Sequence, residues 1–149
     1  MDFEIPQPIK LEHEELHDEL RKGTAEGGAV GEAAKVVAKI LHPHFVKEEE
    51  YAMPPLGLLP LLAEGNVTPD MKDALAMTDK LKPELSQMLK EHREIVAALQ
   101  ELIAAAKKEN KIKYVRFADK LILHAQTEEK VYYPTIILIG EYLKQKIRK

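Results

Sequence analysis

The sequence predicts an all-α fold, an up-down-up-down four-helix bundle with a pseudo-twofold internal repeat, on three observations. Apolar residues recur at i, i+3, i+4 and i+7 along four long stretches, the period of an amphipathic helix rather than of a strand. Those stretches are built from Ala, Leu, Glu and Lys, all strong helix formers, and the chain has no Trp, no Cys and only 5% aromatic residues. The third observation is a device written twice. His44-Phe-Val-Lys-Glu48-Glu49 in the first half returns as His124-Ala-Gln-Thr-Glu128-Glu129 in the second, and a proline follows each at the same offset (Pro54, Pro134). Upstream, Glu12-His13 recurs as Glu91-His92 with almost the same separation. Two similar helical hairpins, each starting with Glu-His and ending with His-x-x-x-Glu-Glu, make such a bundle.

The first helix is expected from Pro8 to Lys22, with Ile9, His13, Leu16, His17 and Leu20 on one stripe. Gly23, Gly27, Gly28 and Gly31 then read as a break. The second helix runs to about Met53, with Ala33, Val37, Ile40, His44, Glu48 and Tyr51 on its stripe, and Pro54-Pro55 ends it. The segment 56–82 is less regular. Its apolar run Leu56–Leu62 is expected to cap the bundle end, and Thr68-Pro69 starts a short helix to about Lys80, either separate or kinked into the next at Pro83. The third helix is expected from Pro83 to Lys108, with Leu85, Met88, Leu89, His92, Ile95, Val96, Leu99, Leu102 and Ile103 on one face. The fourth starts near Lys111, turns Ala118, Leu121, His124, Ala125, Glu128, Val131 and Thr135 inward, and bends at Pro134. Lys144, Lys146, Arg148 and Lys149 suit a helix C-terminus, where the dipole favours cations.

With 149 residues the chain is one domain's worth, residues 1–149, with repeat halves of about 1–65 and 66–149. A composition 45% hydrophobic and 32% charged is globular, and a net charge of −3 with mixed signs leaves no basic footprint for nucleic acid. The absence of cysteine excludes disulfides, thiolate ligands and Cys nucleophiles. The N-terminus lacks a positive region followed by an apolar stretch, so no signal peptide is expected, and no run of eighteen uncharged apolar residues suggests a membrane span. The cytoplasm is the default location.

The informative residues are polar side chains on the apolar stripes: His13, His17, His44, Glu48, His92, His124 and Glu128. A spacing of four puts His13 with His17, His44 with Glu48 and His124 with Glu128, each pair on one helix face. Burying carboxylates and imidazoles without partners is costly, whereas divalent cations take both as natural ligands. Five imidazoles and two carboxylates exceed one four-coordinate zinc site. They suit two metals bridged by Glu48 and Glu128, one held by His13, His17 and His44, the other by His92 and His124, with Val96 where the repeat would place a further His. Glu12, Glu49, Glu91 and Glu129 are expected to be solvated or to support ligands, with Glu129 the rival of Glu128 for the inward position. His42, two residues from His44, is expected to point away, and Tyr51 to join the core.

This ordered set resembles the hemerythrin-like (HHE cation-binding) domain family over nearly the whole chain. The resemblance implies a four-helix bundle around a non-haem di-iron centre of two iron ions held by His and carboxylate side chains. It also implies binding of O2 or another small ligand, for carriage, sensing or storage. Two departures stand out. The oxygen-carrying members put the His-x-x-x-His pair on the third helix, whereas here it is His13 and His17 on the first. They also use an Asp five residues after the last His, where this chain has Glu129. A second class of function is a di-iron redox enzyme acting on peroxide, nitric oxide or ferrous iron. A third is a zinc hydrolase, since His13-Glu14-Glu15-Leu16-His17 fits H-E-x-x-H, although an all-helical chain supplies no sheet edge for a substrate. Zn or Cu competes with iron for such donors in a purified sample.

Overall fold

No strand interrupts the described residues, 2–147, of the computed structural model. Helix α1 spans Gln7–Thr24 and α2 spans Gly28–Lys47. A π-helical turn, Glu48–Ala52, carries α2 onward into a 3-10 turn at Pro54–Leu58 and the short α3, Leu59–Ala63. A 3-10 turn at Pro69–Met71 leads into α4, Lys72–Lys108. Helix α5, Ile112–Thr127, passes through a second π turn, Glu128–Tyr132, into α6, Tyr133–Ile147. Helix α1 packs on α2 and α5, and α4 packs on α2, α5 and α6, which closes a four-helix bundle. No helix among the described residues is long and apolar enough to cross a membrane.

The glycine-rich stretch is not the loop expected of it. Only residues 25–27 lie between α1 and α2, and Gly28 and Gly31 are helical. Gly28 opens α2 at φ +69°, a conformation that costs glycine little. A Cβ on Gly31 would lie 1.9 Å from the Glu26 carbonyl oxygen, so glycine there lets the first turn of α2 close onto the preceding chain. Helix α2 has no side-chain cap of its own. Glu109, from the α4–α5 connection, accepts the N–H groups of Val30 (3.0 Å) and Ala29 (3.3 Å) instead.

The short helix expected before Pro83 is part of one continuous α4. Pro83 removes one backbone hydrogen bond, but Leu75, Leu81 and Met88 on either side of it are all buried in one apolar cluster, and that packing carries the helix through. Thr68 precedes Pro69 as expected, although its hydroxyl donates to the Asp70 carboxylate rather than accepting a backbone N–H. Leu56 and Leu58 are buried at the bundle end, and Leu59 is partly exposed. Lys144 and Lys146 lie in the last turn of α6, whereas Arg148 and Lys149 lie outside the described residues.

The inward face expected after Glu128 needs correction. Val131 is 51% exposed and Thr135 half-buried, while Tyr133, Ile136, Ile139 and Leu143 are buried. The physical reason is the π turn. The Tyr133 N–H bonds back to the Glu128 carbonyl, five residues earlier, so one extra residue is wound in and the stripe shifts. The same bond recurs from the Met53 N–H to the Glu48 carbonyl, at 2.7 Å. A proline follows each wide turn, Pro54 and Pro134, where a normal helix would set the ring against a carbonyl four residues back.

Two apolar clusters fill the bundle. One gathers Leu16, Leu20, Val37, Leu41, Leu99 and Phe117 with their neighbours. The other gathers Met53, Leu58, Leu81, Met88, Ile136 and Leu143 with theirs. The duplicated polar residues lie along the long helices between these two clusters. In the second cluster, a Cβ on Gly140 would lie 2.3 Å from Thr78 Oγ1 and 2.7 Å from Thr78 Cβ. Gly140→Ala is therefore expected to lower stability by about 1–2 kcal/mol, the overpacking strain exceeding the helix-propensity gain. Thr78→Ala in the same chain should recover part of that loss in a denaturant-melt double-mutant cycle.

The N–H donors of Val30, then those of Ala29, hold the Glu109 carboxyl below its ordinary range. Its contribution is thus full above the unfolded-state value and lost as pH falls through the folded-state one. The Tm difference between the native chain and Glu109→Gln should accordingly shrink on acidification and be constant above neutrality.

Candidate metal centre

Each long helix sends polar side chains into the layer between the two cores. Helix α1 contributes His13, α2 His44, α4 His92 and α5 His124, while Glu48 and Glu128 open the two π turns. All six are 0–4% exposed. They fall into two groups that share an acid. His44, Glu48, His92 and Glu128 each offer a donor atom within 4.8 Å of the others, and so do His13, His124 and Glu128.

The carboxylates divide their oxygens between the groups. Glu48 Oε2 lies 3.5 Å from His44 Nε2, and its Oε1 lies 3.7 Å from His13 Nε2. Glu128 Oε1 lies 2.9 Å from His92 Nε2, and its Oε2 lies 3.0 Å from His124 Nε2 and 3.5 Å from His13 Nε2. Four of these buried atoms make no well-aligned hydrogen bond: His13 Nε2, His124 Nε2, Glu48 Oε1 and Glu128 Oε2, although His124 Nε2 and Glu128 Oε2 face each other at 3.0 Å. Two imidazole nitrogens and two carboxylate oxygens left unsatisfied in one place are costly. They are also the donor types a divalent transition metal takes. The residues present fit a cation.

The outer edges of the rings are held by the acids next in sequence to the inner residues. The Nδ1–H of His44 donates to Glu91 at 2.8 Å, that of His92 to Glu129 at 3.1 Å, and that of His124 to Glu12. Glu91 is steadied in turn by Lys47 (2.6 Å) and Gln87 (3.0 Å). His13 Nδ1 faces Glu49 only at 3.7 Å and instead stacks on Phe45, with ring centroids 4.2 Å apart. The bonds to His44, His92 and His124 turn the Nε2 atoms of those three imidazoles to the interior. Glu128 is therefore the inner acid, and Glu129 takes the supporting role.

Electrostatics shows the same competition for lone pairs. Burial alone would lower His44, yet hydrogen bonds with Glu128 and Glu48 raise it to about 10. Burial opposes, and bonding to Glu128 produces, a rise of His124 to about 9. Burial and then the Glu128 charge push Glu48 up to about 7. Glu128 goes the other way: burial resists, but hydrogen bonds from Glu48 and the surrounding imidazoles hold it well below the usual carboxylate range. Protons here perform the charge balancing that a cation would perform, and cation binding must expel them.

Two expectations fail. His17 is exposed and outside both groups, with its ring centroid 6.0 Å from that of His42. Leu16, fully buried in the first core, takes the inward position of that turn, and this rotates His17 out. It lines an open surface groove with Glu14, His42, Val46 and Glu49 that reaches the edge of His13. The same placement removes the H-E-x-x-H reading, because His13 and His17 no longer face a common point. The expected partition also fails. His44 pairs with His92, at 3.0 Å between Nε2 atoms, and the His13 and His124 rings lie 5.0 Å apart, so each pair joins the two hairpins rather than one hairpin holding a metal of its own. His42 is exposed and Tyr51 is buried in the second core, as the sequence suggests.

Tyr133 escapes the sequence pattern. Its hydroxyl donates to Glu48 Oε2 at 2.7 Å and lies 3.2 Å from His92 Nε2 and 3.3 Å from His44 Nε2. A regular helical period misplaces this residue, and only its position just before Pro134 hints at the widened turn.

Replacing Glu91 with Ala should weaken cation binding roughly 10–100-fold, measured by competition with a chelator, with helicity unchanged. Glu49→Ala, where no hydrogen bond exists, should have a distinctly smaller effect.

The profile of the hemerythrin HHE cation binding domain family matches residues 6–136. No curated protein and no solved structure matches the chain.

Proposed function

The chain belongs to the hemerythrin HHE cation-binding family, and on that premise we propose that this metal-binding protein holds two iron ions side by side and binds O2 or another small ligand at them. His44 and His92 would hold one ion, His13 and His124 the other, and Glu48 and Glu128 would serve both. The observation that carries this reading is the convergence of four imidazoles and two carboxylates in the buried layer, where four inward atoms make no well-aligned hydrogen bond. Iron held there would supply one-electron redox chemistry and a Lewis-acidic centre for the small ligand.

The chain's own residues make the layer suitable for that task. The cores above and below exclude water, which strengthens every charge interaction within it. Glu91, Glu129 and Glu12 fix the ring orientation of His44, His92 and His124 from outside. Glu48 and Glu128 offset cationic charge where solvent cannot. We further propose that residues 1–149 work as one unit, its halves contributing equally to the layer.

Freshly purified protein is expected to contain two metal ions per chain, iron or a competing Zn or Cu. Chelation should lower the melting temperature, because a cation at a hundred times its Kd stabilises by about 2.7 kcal/mol. Reduced, iron-loaded protein should gain a visible band in air and lose it under argon. Irreversible oxidation without that band would move the function to redox catalysis. A metal-free chain whose melting ignores chelator would end the metal reading itself.

A further inference from the structure

Tyr133 sits at the one point in the buried layer where every donor of the His44–His92 group converges. Its Oη is 2.7 Å from Glu48 Oε2, 3.2 Å from His92 Nε2, 3.3 Å from His44 Nε2 and 3.5 Å from Glu128 Oε1. We propose that Tyr133 is itself a ligand, binding the cation on the His44–His92 side through its phenolate oxygen. The inference rests on the two-cation reading and adds a donor to it.

A cation drawing on the two imidazoles and two carboxylates must come within bonding range of Oη or displace the ring. The ring has nowhere to go. It is 1% exposed, is packed in the second apolar core, and is stacked on His92 with centroids 5.6 Å apart and planes at 28°. Its backbone is pinned by the N–H bond to the Glu128 carbonyl and by the adjoining Pro134. The cheaper exchange is chemical. The phenol O–H bond to Glu48 gives way to an oxygen–metal bond, and the proton leaves to solvent. No group changes oxidation state, and one more negative charge balances the cation.

The consequence is an asymmetry between the two repeats. Met53 is the counterpart of Tyr133 in the first repeat, at the matching position after the first π turn, and is also fully buried. A thioether is a neutral, soft donor and a poor partner for iron beside carboxylates. The His44–His92 side would therefore have five donors, its two imidazoles, Tyr133 and the two shared carboxylates, against four on the His13–His124 side, and the side with fewer donors would be the one to take a small ligand.

Protein loaded with ferric iron should show a phenolate-to-iron charge-transfer band in the visible region, with resonance-enhanced tyrosinate Raman modes. Tyr133→Phe at equal iron content should lose both, and Tyr132→Phe and Tyr51→Phe should keep both. If Tyr133→Phe does not fold, ring-deuterated tyrosine in the native chain must shift the Raman modes, and Phe variants of Tyr51, Tyr114, Tyr132 and Tyr142 must each keep them, which leaves Tyr133 as the source. Full iron content without tyrosinate modes, or modes that survive Tyr133→Phe, overturns the inference and leaves the two-cation reading standing. A chain that takes up no iron overturns both.

Discussion

Six ionisable side chains and a phenol are buried in a layer sandwiched between two apolar cores, and the rest of the structure is arranged around that burden. Such groups are tolerable in the interior only when paired, hydrogen-bonded or bound to cations. Three imidazoles have their outer nitrogen satisfied by an acid at the rim. The inner faces are only partly satisfied, and four of their atoms make no well-aligned hydrogen bond. The protein has placed its costliest groups at its centre with their supporting bonds already made, which is the preorganisation a binding site requires.

The π turns make this layer possible. Each starts at the glutamate that shares its oxygens between the two groups, and each ends one residue short of a proline, with Met53 or Tyr133 between. At Pro134 the widened turn lets the ring fit without breaking the helix, whereas at Pro54 the chain passes into a 3-10 turn. The widening also advances the helix phase by one residue, and this brings Tyr133 inward and sends Val131 out. Backbone irregularity and site construction are thus one feature, in keeping with the frequent occurrence of π bulges at functional positions.

The duplicated halves supply equivalent acids and imidazoles and differ where chemistry can differ. Phe45 stacks on His13, whereas its counterpart in the second repeat is Ala125, and His92 instead stacks on Tyr133. His17 and Val96 occupy matching places in the two hairpins, and neither joins the layer. A near-symmetric set of acids and imidazoles thus has unlike flanks in its two halves.

The sequence by itself determined the helical class, the four amphipathic runs and six of the side chains that meet in the interior. It could do so because helical period and burial leave a record wherever His or Glu stands on an apolar stripe, and because the pattern is written twice. For Glu12, Glu49, Glu91 and Glu129 the sequence left a solvated place and a supporting one open, and the structure gives Glu12, Glu91 and Glu129 the supporting one. Only the tertiary structure decided the pairing of imidazoles across hairpins, because every helix in a bundle touches two others and spacing along the chain does not say which neighbour shares a site. It also decided against His17, whose stripe position lost to Leu16 when the first core closed. Tyr133 belongs there as well, since a single extra residue in a turn changes the inward face, and no regular period carries that information.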